Sequence, residues 1–335
     1  MKWGLAAFLL LSAEVIGSPL LYQAEISQGI EFYFQENFSQ AEQTFLNLIQ
    51  ADTLEPVGYY FLALTFQAQM LDLESDFKMD QFEAALESSI QLAENRLKSN
   101  KSDKMAFLTL GNCYGSWAIQ EARAGSWFRA FRLGLRAKDK WEKAIALDSG
   151  LYEAYAGLGS YLYWKSVFTK RFNWLPFVKD KRQQGIQMLR LASENSEISR
   201  DFALSSLMWV NLKEKSYKEA LDLAFYFQNK YPQAKFPLWA EGFIYYEKFD
   251  WRNAISAFER LLERLKETQP TNYYNLIEVE FRMANCYFNL GKLKDARLLG
   301  EKIMTYPLDK KTKDRQKEKI KRTKELLEKI SKMKR

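Results

Sequence analysis

The side chains that most often perform catalysis are scarce in this sequence. It contains no histidine, which removes the commonest general base and the commonest metal ligand. A Ser-His-Asp or Cys-His nucleophilic system is therefore impossible. The sequence also has no glycine-rich phosphate-binding loop and no metal-ligand cluster. We predict a protein with no catalytic residues, no cofactor and no metal, and we expect that it is not an enzyme.

The two cysteines, Cys113 and Cys286, have no zinc or haem spacing. Each lies in an apolar helical pattern directly before a tyrosine, so we expect both thiols to be buried core residues. A linear repeat protein would hold them too far apart for a disulfide. Asp148, Asp201 and Asp250 stand where turns or helix caps are expected, which is an ordinary role for aspartate.

The segment 164–182 is the strongest candidate for a binding surface, because it combines aromatic rings with cations. Trp, Tyr and Arg are the usual anchors of protein interfaces, and rings beside cations also suit the surface of an anionic membrane. A third interpretation is that Trp174, Leu175 and Phe177 fold back over the protein as a plug. The candidate partner-binding residues are Trp164, Lys165, Lys170, Arg171, Trp174, Phe177, Lys179, Lys181 and Arg182.

A second stretch places large apolar residues on one helix face at four-residue spacing, at Trp127, Phe131 and Leu135. Three cations lie off this face, at Arg129, Arg132 and Arg136. We expect this stretch to begin a long helix whose apolar face packs in the ordinary way.

The net charge of +7 is located in the tail. Residues 309–335 contain thirteen Lys or Arg and five Asp or Glu, so the rest of the chain is close to neutral. A nucleic-acid-binding groove is therefore not predicted. Glutamates precede cations by four residues along the tail, which favours an exposed helix. These pairs are Glu318 with Arg322, Glu325 with Lys329, and Glu328 with Lys332, beside a thin apolar stripe of Leu326, Ile330 and Met333.

We expect this tail to be a solvated helix that caps the fold, with contact to an anionic membrane or an acidic partner as the alternative.

The amino terminus has the composition of a secretory signal. Lys2 is followed by an apolar run from Trp3 to Leu11, and Gly17 precedes Ser18 at a plausible cleavage position. The run is too short to span a bilayer, and no cysteine follows it that could carry a lipid anchor. We expect a cleaved signal and an exported protein, periplasmic if the organism is bacterial. An uncleaved anchor and an ordinary buried first helix are the alternatives.

One pattern of small residues recurs between Ile26 and Leu308. In most copies the first helix of a unit has a Gly or Ala three residues before an aromatic residue or leucine, and the second helix has another small residue. Small residues let the two helices of a hairpin approach closely, while a large ring fills the space beside them. The predicted repeat-packing residues are Gly29, Ala41, Gly111, Ala137, Gly159, Gly185, Ala220, Gly242, Ala254, Ala284 and Ala296.

The second-helix residues Ala220 and Ala254 are 34 residues apart, which is the tetratricopeptide period. At these residues the chain resembles the tetratricopeptide-repeat superfamily. The runs from Tyr163 to Ser166, from Trp174 to Val178 and from Gly185 to Leu189 are similar to exported bacterial members of it. We therefore expect an all-α solenoid of about seven antiparallel helix hairpins that binds proteins or peptides in its groove. In the third and fourth units the paired small residues are 26 rather than 12 residues apart, so the central hairpins are predicted to be elongated.

We divide the chain into a signal peptide (1–17), a solenoid (18–308) and a basic carboxyl-terminal helix (309–335). The predicted function is a non-enzymatic protein-interaction scaffold in an exported compartment. The alternative is a peripheral membrane or envelope-assembly component that uses the segment 164–182 and the basic carboxyl-terminal helix.

Overall fold

The structure is a computed structural model that describes residues 22–169 and 179–333. Every regular element in these ranges is a helix, as expected from a chain with only 15 glycines and 7 prolines among 335 residues. The first fourteen helices form seven antiparallel hairpins that pack in sequence order. This confirms the predicted all-α solenoid.

The hairpins are α1 (Gln23–Phe34) with α2 (Phe38–Ala51), α3 (Pro56–Asp72) with α4 (Met79–Ser99), α5 (Lys104–Arg123) with α6 (Trp127–Leu147), α7 (Tyr152–Thr169) with α8 (Arg182–Asn195), α9 (Arg200–Lys213) with α10 (Tyr217–Lys230), α11 (Phe236–Glu247) with α12 (Trp251–Thr268), and α13 (Tyr273–Asn289) with α14 (Leu293–Thr305). Two further helices, α15 (Lys310–Arg315) and α16 (Lys317–Lys332), follow. The first helices of neighbouring hairpins contact one another from α1 to α11, and they line the concave face.

Six of the seven hairpin turns share one backbone conformation. A single residue with positive φ ends the first helix, and the next amide donates to the carbonyl five residues before it. This is the Schellman arrangement that commonly ends helices. The turn residues are Glu36, Glu74, Gly125, Lys215, Phe249 and Gly291. Turns this short hold the two helices of each hairpin antiparallel.

Small residues lie where the helices of a hairpin meet. A Cβ atom added to Gly242 would lie 2.3 Å from the ring of Phe258, and Ala254 beside them is fully buried. In the fourth hairpin the backbones themselves touch, because a Cβ on Gly185 would lie 2.6 Å from the carbonyl oxygen of Gly159. Of the other predicted packing residues, Gly29 and Gly111 face the rings of their hairpin partners, and Ala41, Ala137, Ala220, Ala284 and Ala296 are fully buried.

The additional residues of the two central hairpins lie in different places. In the third hairpin the additional residues are helical, since α5 has 20 residues and α6 has 21. In the fourth hairpin α7 ends at Thr169 and α8 begins at Arg182. The intervening residues 170–178 lie outside the described ranges.

The first hairpin packs against the fifth and sixth hairpins. Phe34 at the end of α1 is buried, and its ring centroid lies 4.9 Å from that of Phe202 and 5.5 Å from that of Tyr231. Phe227 and Phe236 each lie 5.9 Å from the same ring. The solenoid therefore closes on itself, and this part of its concave face is filled by its own aromatic side chains.

A buried polar cluster lies beside these rings. The Lys235 ammonium contacts Glu36 at 2.5 Å and Asp72 at 3.3 Å. The backbone amides of Lys235 and Phe236 both donate to Glu36 Oε1, at 2.9 and 3.0 Å. Gln269 donates to Asp72 at 2.6 Å. The cluster joins the turns of the first two hairpins to the sixth hairpin with nearly complete hydrogen bonding.

The tail caps the last hairpin. Leu326 and Ile330 of α16 are buried against Ala284 and Ala296, whereas Met333 is exposed. The predicted pairs of glutamate with a following cation form no ion pair within 4 Å in the described part of the tail. Lys321 instead pairs with the following Glu325 at 3.9 Å. Three other tail cations reach earlier hairpins, where Lys311 contacts Asp76, Arg315 contacts Glu74, and Lys319 contacts Glu278.

Cys113 and Cys286 are both free and fully buried, which confirms their prediction as core residues. Asp148 and Asp250 accept backbone hydrogen bonds at a turn and a helix cap, as expected. Asp201 departs from the prediction, because it lies inside the first turn of α9 and is 7% exposed. It accepts hydrogen bonds from the side chains of Lys230 and Tyr231 and so ties α9 to the end of α10.

Candidate functional site

A row of half-buried aromatic residues runs along α9 and α11, and rings of the first hairpin contact only its beginning. Phe202 and Phe236, near the beginnings of these helices, lie under Phe34 of the first hairpin. Two turns farther along α9 comes Trp209, and one and two turns farther along α11 come Trp239 and Phe243. These three side chains are half-buried, as Phe202 and Phe236 are. We call Trp209, Trp239 and Phe243 the aromatic ladder.

The rings of the aromatic ladder are in mutual contact. Phe243 lies at the centre, with its ring centroid 6.1 Å from that of Trp209 and 5.5 Å from that of Trp239. The guanidinium of Arg282, on α13, lies 4.6 Å from the Phe243 centroid and pairs with Glu278. The ladder is thus an apolar strip bordered by an arginine that is already held in place.

A second aromatic surface lies where the third hairpin turns. Trp127, Phe128 and Phe131 at the beginning of α6 are 64%, 74% and 48% exposed, and Phe168 at the end of α7 is 65% exposed. The sequence prediction that this apolar face packs in the ordinary way is wrong at the start of α6. Leu135, the third residue of the predicted face, is also 41% exposed, so the whole face meets solvent. We call these four residues the aromatic tip.

The aromatic tip is continuous with one of the predicted binding residues. The Phe168 centroid lies 6.5 Å from that of Trp127 and 6.2 Å from that of Trp164. Trp164 itself is half-buried against the core of the fourth hairpin, edge-on to Tyr163. The structure therefore joins Trp164 to residues of the other central hairpin that the sequence did not connect with it.

Cations surround the aromatic tip. Residues 127–138 contain three arginines and a lysine but no Asp or Glu. Arg129 pairs with Glu121 at 3.0 Å, and Arg136 stacks 4.0 Å over the Tyr114 ring. Arg132 is exposed and lies 5.9 Å from the Phe128 centroid.

Lys165 adds to this positive surface. Burial lowers the pKa of its ammonium, and the charges of Lys138 and Lys181 lower it further. The ammonium groups of Lys138, Lys165 and Lys181 are therefore close enough to interact. Their proximity indicates a positive potential next to the tip.

The remaining predicted binding residues have different surroundings. Lys179 and Lys181 are exposed. Arg182 forms ion pairs with two carboxylates, Asp180 and Glu214, each at 2.9 Å. The hydrogen bond to Asp180 is the main cause of the raised pKa of Arg182. Lys170, Arg171, Trp174 and Phe177 lie outside the described residues, as does the plug that was one interpretation of this segment.

The aromatic ladder was not predicted. Its sequence signal is present, because Phe202 and Trp209 are seven residues apart, as are Phe236 and Phe243. A seven-residue spacing places both members of a pair on one helix face. The core of a hairpin would give the same signal, so the pattern alone could not identify an accessible face.

A comparison with solved structures gives the fold a name. The crystal structure of PilW, described as a type IV pilus biogenesis factor, matches 73% of this chain and 98% of its own, with a TM-score of 0.50 and 12% identity. The chain has the tetratricopeptide-repeat fold. At 12% sequence identity, the similarity between this tetratricopeptide solenoid and PilW concerns the fold alone.

Two further structures are similar at lower scores. They are YrrB, described as a TPR protein with an unusual peptide-binding site, and the C-terminal part of a TPR repeat-containing protein from Cytophaga hutchinsonii. YrrB has a TM-score of 0.43 at 15% identity and matches 68% of this chain and 97% of its own. The Cytophaga protein has a TM-score of 0.45 at 17% identity and matches 86% and 98%. No protein-family model and no curated protein matches the sequence of this tetratricopeptide solenoid.

Proposed function

We propose that this chain is a non-enzymatic scaffold of an exported compartment that binds a protein segment at the aromatic ladder of its concave face. The tetratricopeptide fold supports a protein-interaction scaffold in general. The observation that carries the finer proposal is that Trp209, Trp239 and Phe243 form a half-buried aromatic strip beyond the rings that the first hairpin contacts.

The chemistry of the ladder favours an apolar partner segment. Large rings held on rigid helices bury much surface at little cost in conformational entropy, and they are common anchors of interfaces. Arg282 is already paired with Glu278, so its charge is largely satisfied. We therefore expect burial of aliphatic or aromatic partner side chains to supply the affinity, with a weak dependence on salt.

The rest of the proposal is supported by the sequence. The absence of histidine and of catalytic motifs favours a scaffold over an enzyme. The apolar run from Trp3 to Leu11 after Lys2 supports export. An intact-mass measurement of the native protein should place its amino terminus near Ser18, and a chain that retains Met1 would remove the export part of the proposal.

The experiment is affinity capture with the mature protein as bait, from the exported fraction of its own organism. The test variant is Trp209→Gln/Trp239→Gln, which removes two rings of the ladder. The matched control is Phe249→Gln, because Phe249 is an aromatic residue that is 73% exposed on the turn before α12. Melting curves of all three proteins verify that each is folded.

We expect one set of proteins to be captured by the wild type and the control variant and lost with the ladder variant. The proposal fails if the ladder variant, still folded, captures the same proteins as the wild type.

A further inference from the structure

The aromatic tip needs an explanation that the ladder does not provide. Trp127, Phe128 and Phe168 are each at least 64% exposed, although rings of this size are usually buried. They cluster with Phe131, which is 48% exposed, at one edge of the solenoid. A contiguous exposed apolar surface generally marks an interaction site.

The shape of the tip distinguishes among occupants. Trp127 and Phe128 are the first two residues of α6, so their side chains leave the helix about 100° apart and project from its end. Protein hot spots are commonly well-packed, desolvated pockets, and the tip is instead a projecting edge. Projecting rings on a rigid helix suit insertion into a soft interface.

The charge of the tip favours an anionic occupant. The exposed Arg132 lies beside Phe128, and residues 127–138 carry four cations and no carboxylate. The acidic residues of the neighbouring α3–α4 turn, Glu74 and Asp76, are neutralised by Arg123 and by the tail. Two of the four cations, Arg129 and Lys138, are paired with Glu121 and Glu142, so Arg132 and Arg136 supply the net positive charge of the edge that carries the rings.

Rings that project beside cations are typical of proteins that lie on an anionic bilayer. The tail is a poorer membrane contact than its sequence suggested, because its apolar residues Leu326 and Ile330 are buried against the last hairpin. No helix within the described ranges is long and apolar enough to cross a membrane.

We propose that the aromatic tip binds the surface of an anionic lipid bilayer, with Trp127, Phe128, Phe131 and Phe168 at the headgroup level and Arg132 facing the lipid charge. The aromatic tip is separate from the aromatic ladder. The scaffold would therefore bind a protein segment at the ladder while the tip contacts a membrane.

The test is sedimentation of the mature protein with vesicles. One set contains equal parts of phosphatidylglycerol and phosphatidylcholine, and the other contains phosphatidylcholine alone. The tip variant is Trp127→Ser/Phe128→Ser, which changes two exposed side chains and should fold normally. The matched control is Leu54→Ser/Leu298→Ser, because these residues are 72% and 67% exposed elsewhere on the molecule.

We expect the wild type to bind the anionic vesicles and to bind neutral vesicles much more weakly. The tip variant should lose about tenfold or more in vesicle affinity, since two rings no longer enter the interface. The control variant should bind like the wild type. In the charge arm, Arg132→Gln should weaken binding by about fivefold, whereas Lys294→Gln, which removes an exposed cation on α14, should not.

Two results would overturn the proposal. The first is a wild type that binds neither kind of vesicle; if the tip variant then also loses a protein that the wild type captures, the tip is a protein-docking surface. The second is a tip variant that binds vesicles as well as the control variant does, which would assign the binding to another surface.

Discussion

At the scale of single residues, two glycines decide how closely the fourth hairpin closes. Gly159 and Gly185 face each other across α7 and α8, and a Cβ on either one would meet the backbone of the other helix at less than 3 Å. A flexible side chain could move away from such a contact, but a helix backbone cannot. This contact therefore sets the distance between the helices.

Gly185→Ala should lower the melting temperature. The added methyl group overpacks the crossing, at a cost of about 1–3 kcal/mol in the free energy of unfolding, and the better helix preference of alanine offsets about 1 kcal/mol of this. The upper part of that range applies because backbone atoms form the obstruction.

The control for this prediction is Gly150→Ala, in the turn before α7. A Cβ there would meet only the side chain of Asp148, at 3.2 Å. Thermal unfolding followed by circular dichroism should show a lower melting temperature for Gly185→Ala alone. Equal melting temperatures for the two variants would contradict the close approach of α7 and α8.

At the scale of helices, α16 shows how a highly charged helix becomes part of the fold. It has one narrow apolar stripe, and Leu326 and Ile330 within this stripe pack on small residues of the last hairpin. Lys321 of α16 pairs with Glu325 along the helix at 3.9 Å, and Lys319 pairs with Glu278 of α13. Glu278 also binds Arg282 of its own helix, so one carboxylate holds two cations.

This pairing makes the docking of the tail sensitive to acid. Burial alone would raise the pKa of Glu278, but Arg282 and Lys319 outweigh burial and hold the pKa below its usual value of 4.5. For Asp76, Lys311 and Arg123 likewise outweigh burial and lower its pKa from 3.8. A carboxyl whose pKa is lowered by folding stabilises the fold above its unfolded pKa and loses that contribution as the pH falls through its folded pKa.

We therefore expect α16 to be well protected at neutral pH and to lose protection as the pH falls below about 4. Hydrogen exchange, followed by mass spectrometry and corrected for the intrinsic rate at each pH, measures this protection. Glu278→Gln, which cannot titrate, should already be less protected at neutral pH and should change less with acid. Protection of α16 that is independent of pH in the wild type would refute the role of these carboxylates.

At the scale of the whole molecule, the solenoid is held closed by contacts between its two halves. Glu36 and Lys235 are 199 residues apart in sequence and form a buried ion pair. Burial raises the pKa of the Glu36 and Asp72 carboxyls even though Lys235 lies beside them. Burial would lower the pKa of Lys235, but the two carboxylates raise it. Each charge therefore depends on the others.

Lys235→Met should destabilise the closed solenoid strongly. It leaves two buried carboxyl groups without their cation, and breaking a buried pair in this way costs about 3–5 kcal/mol. Urea denaturation measures the loss. The control is Lys248→Met at the other end of α11, where the lysine is exposed.

A second variant separates charge from shape. Glu36→Gln/Lys235→Met removes the ion pair while keeping the carbonyl oxygen that accepts the amides of Lys235 and Phe236. It should recover part of the stability that Lys235→Met loses. A Lys235→Met protein as stable as its control would show that the closure does not depend on this cluster.

The local sequence is sufficient to specify the helix hairpins, whereas contacts between distant hairpins settle which surfaces stay open. The helical period, the small residues such as Gly242 and Ala254, and the recurring spacing predict seven hairpins, because each hairpin is specified by contacts within a few dozen residues. The placement of Cys113 and Cys286 in the core could be predicted for the same reason.

The closure could not be predicted from the sequence. It results from small rotations between successive hairpins that accumulate over half the chain, and the total rotation cannot be read from any local sequence pattern. For the same reason an apolar stripe such as that of Trp127 and Phe131 predicts a helix face but not its neighbour. The tertiary structure packs Phe34 of the first hairpin on Phe202 and leaves Trp127 in solvent. The candidate sites of this protein are the aromatic faces that the closure leaves uncovered.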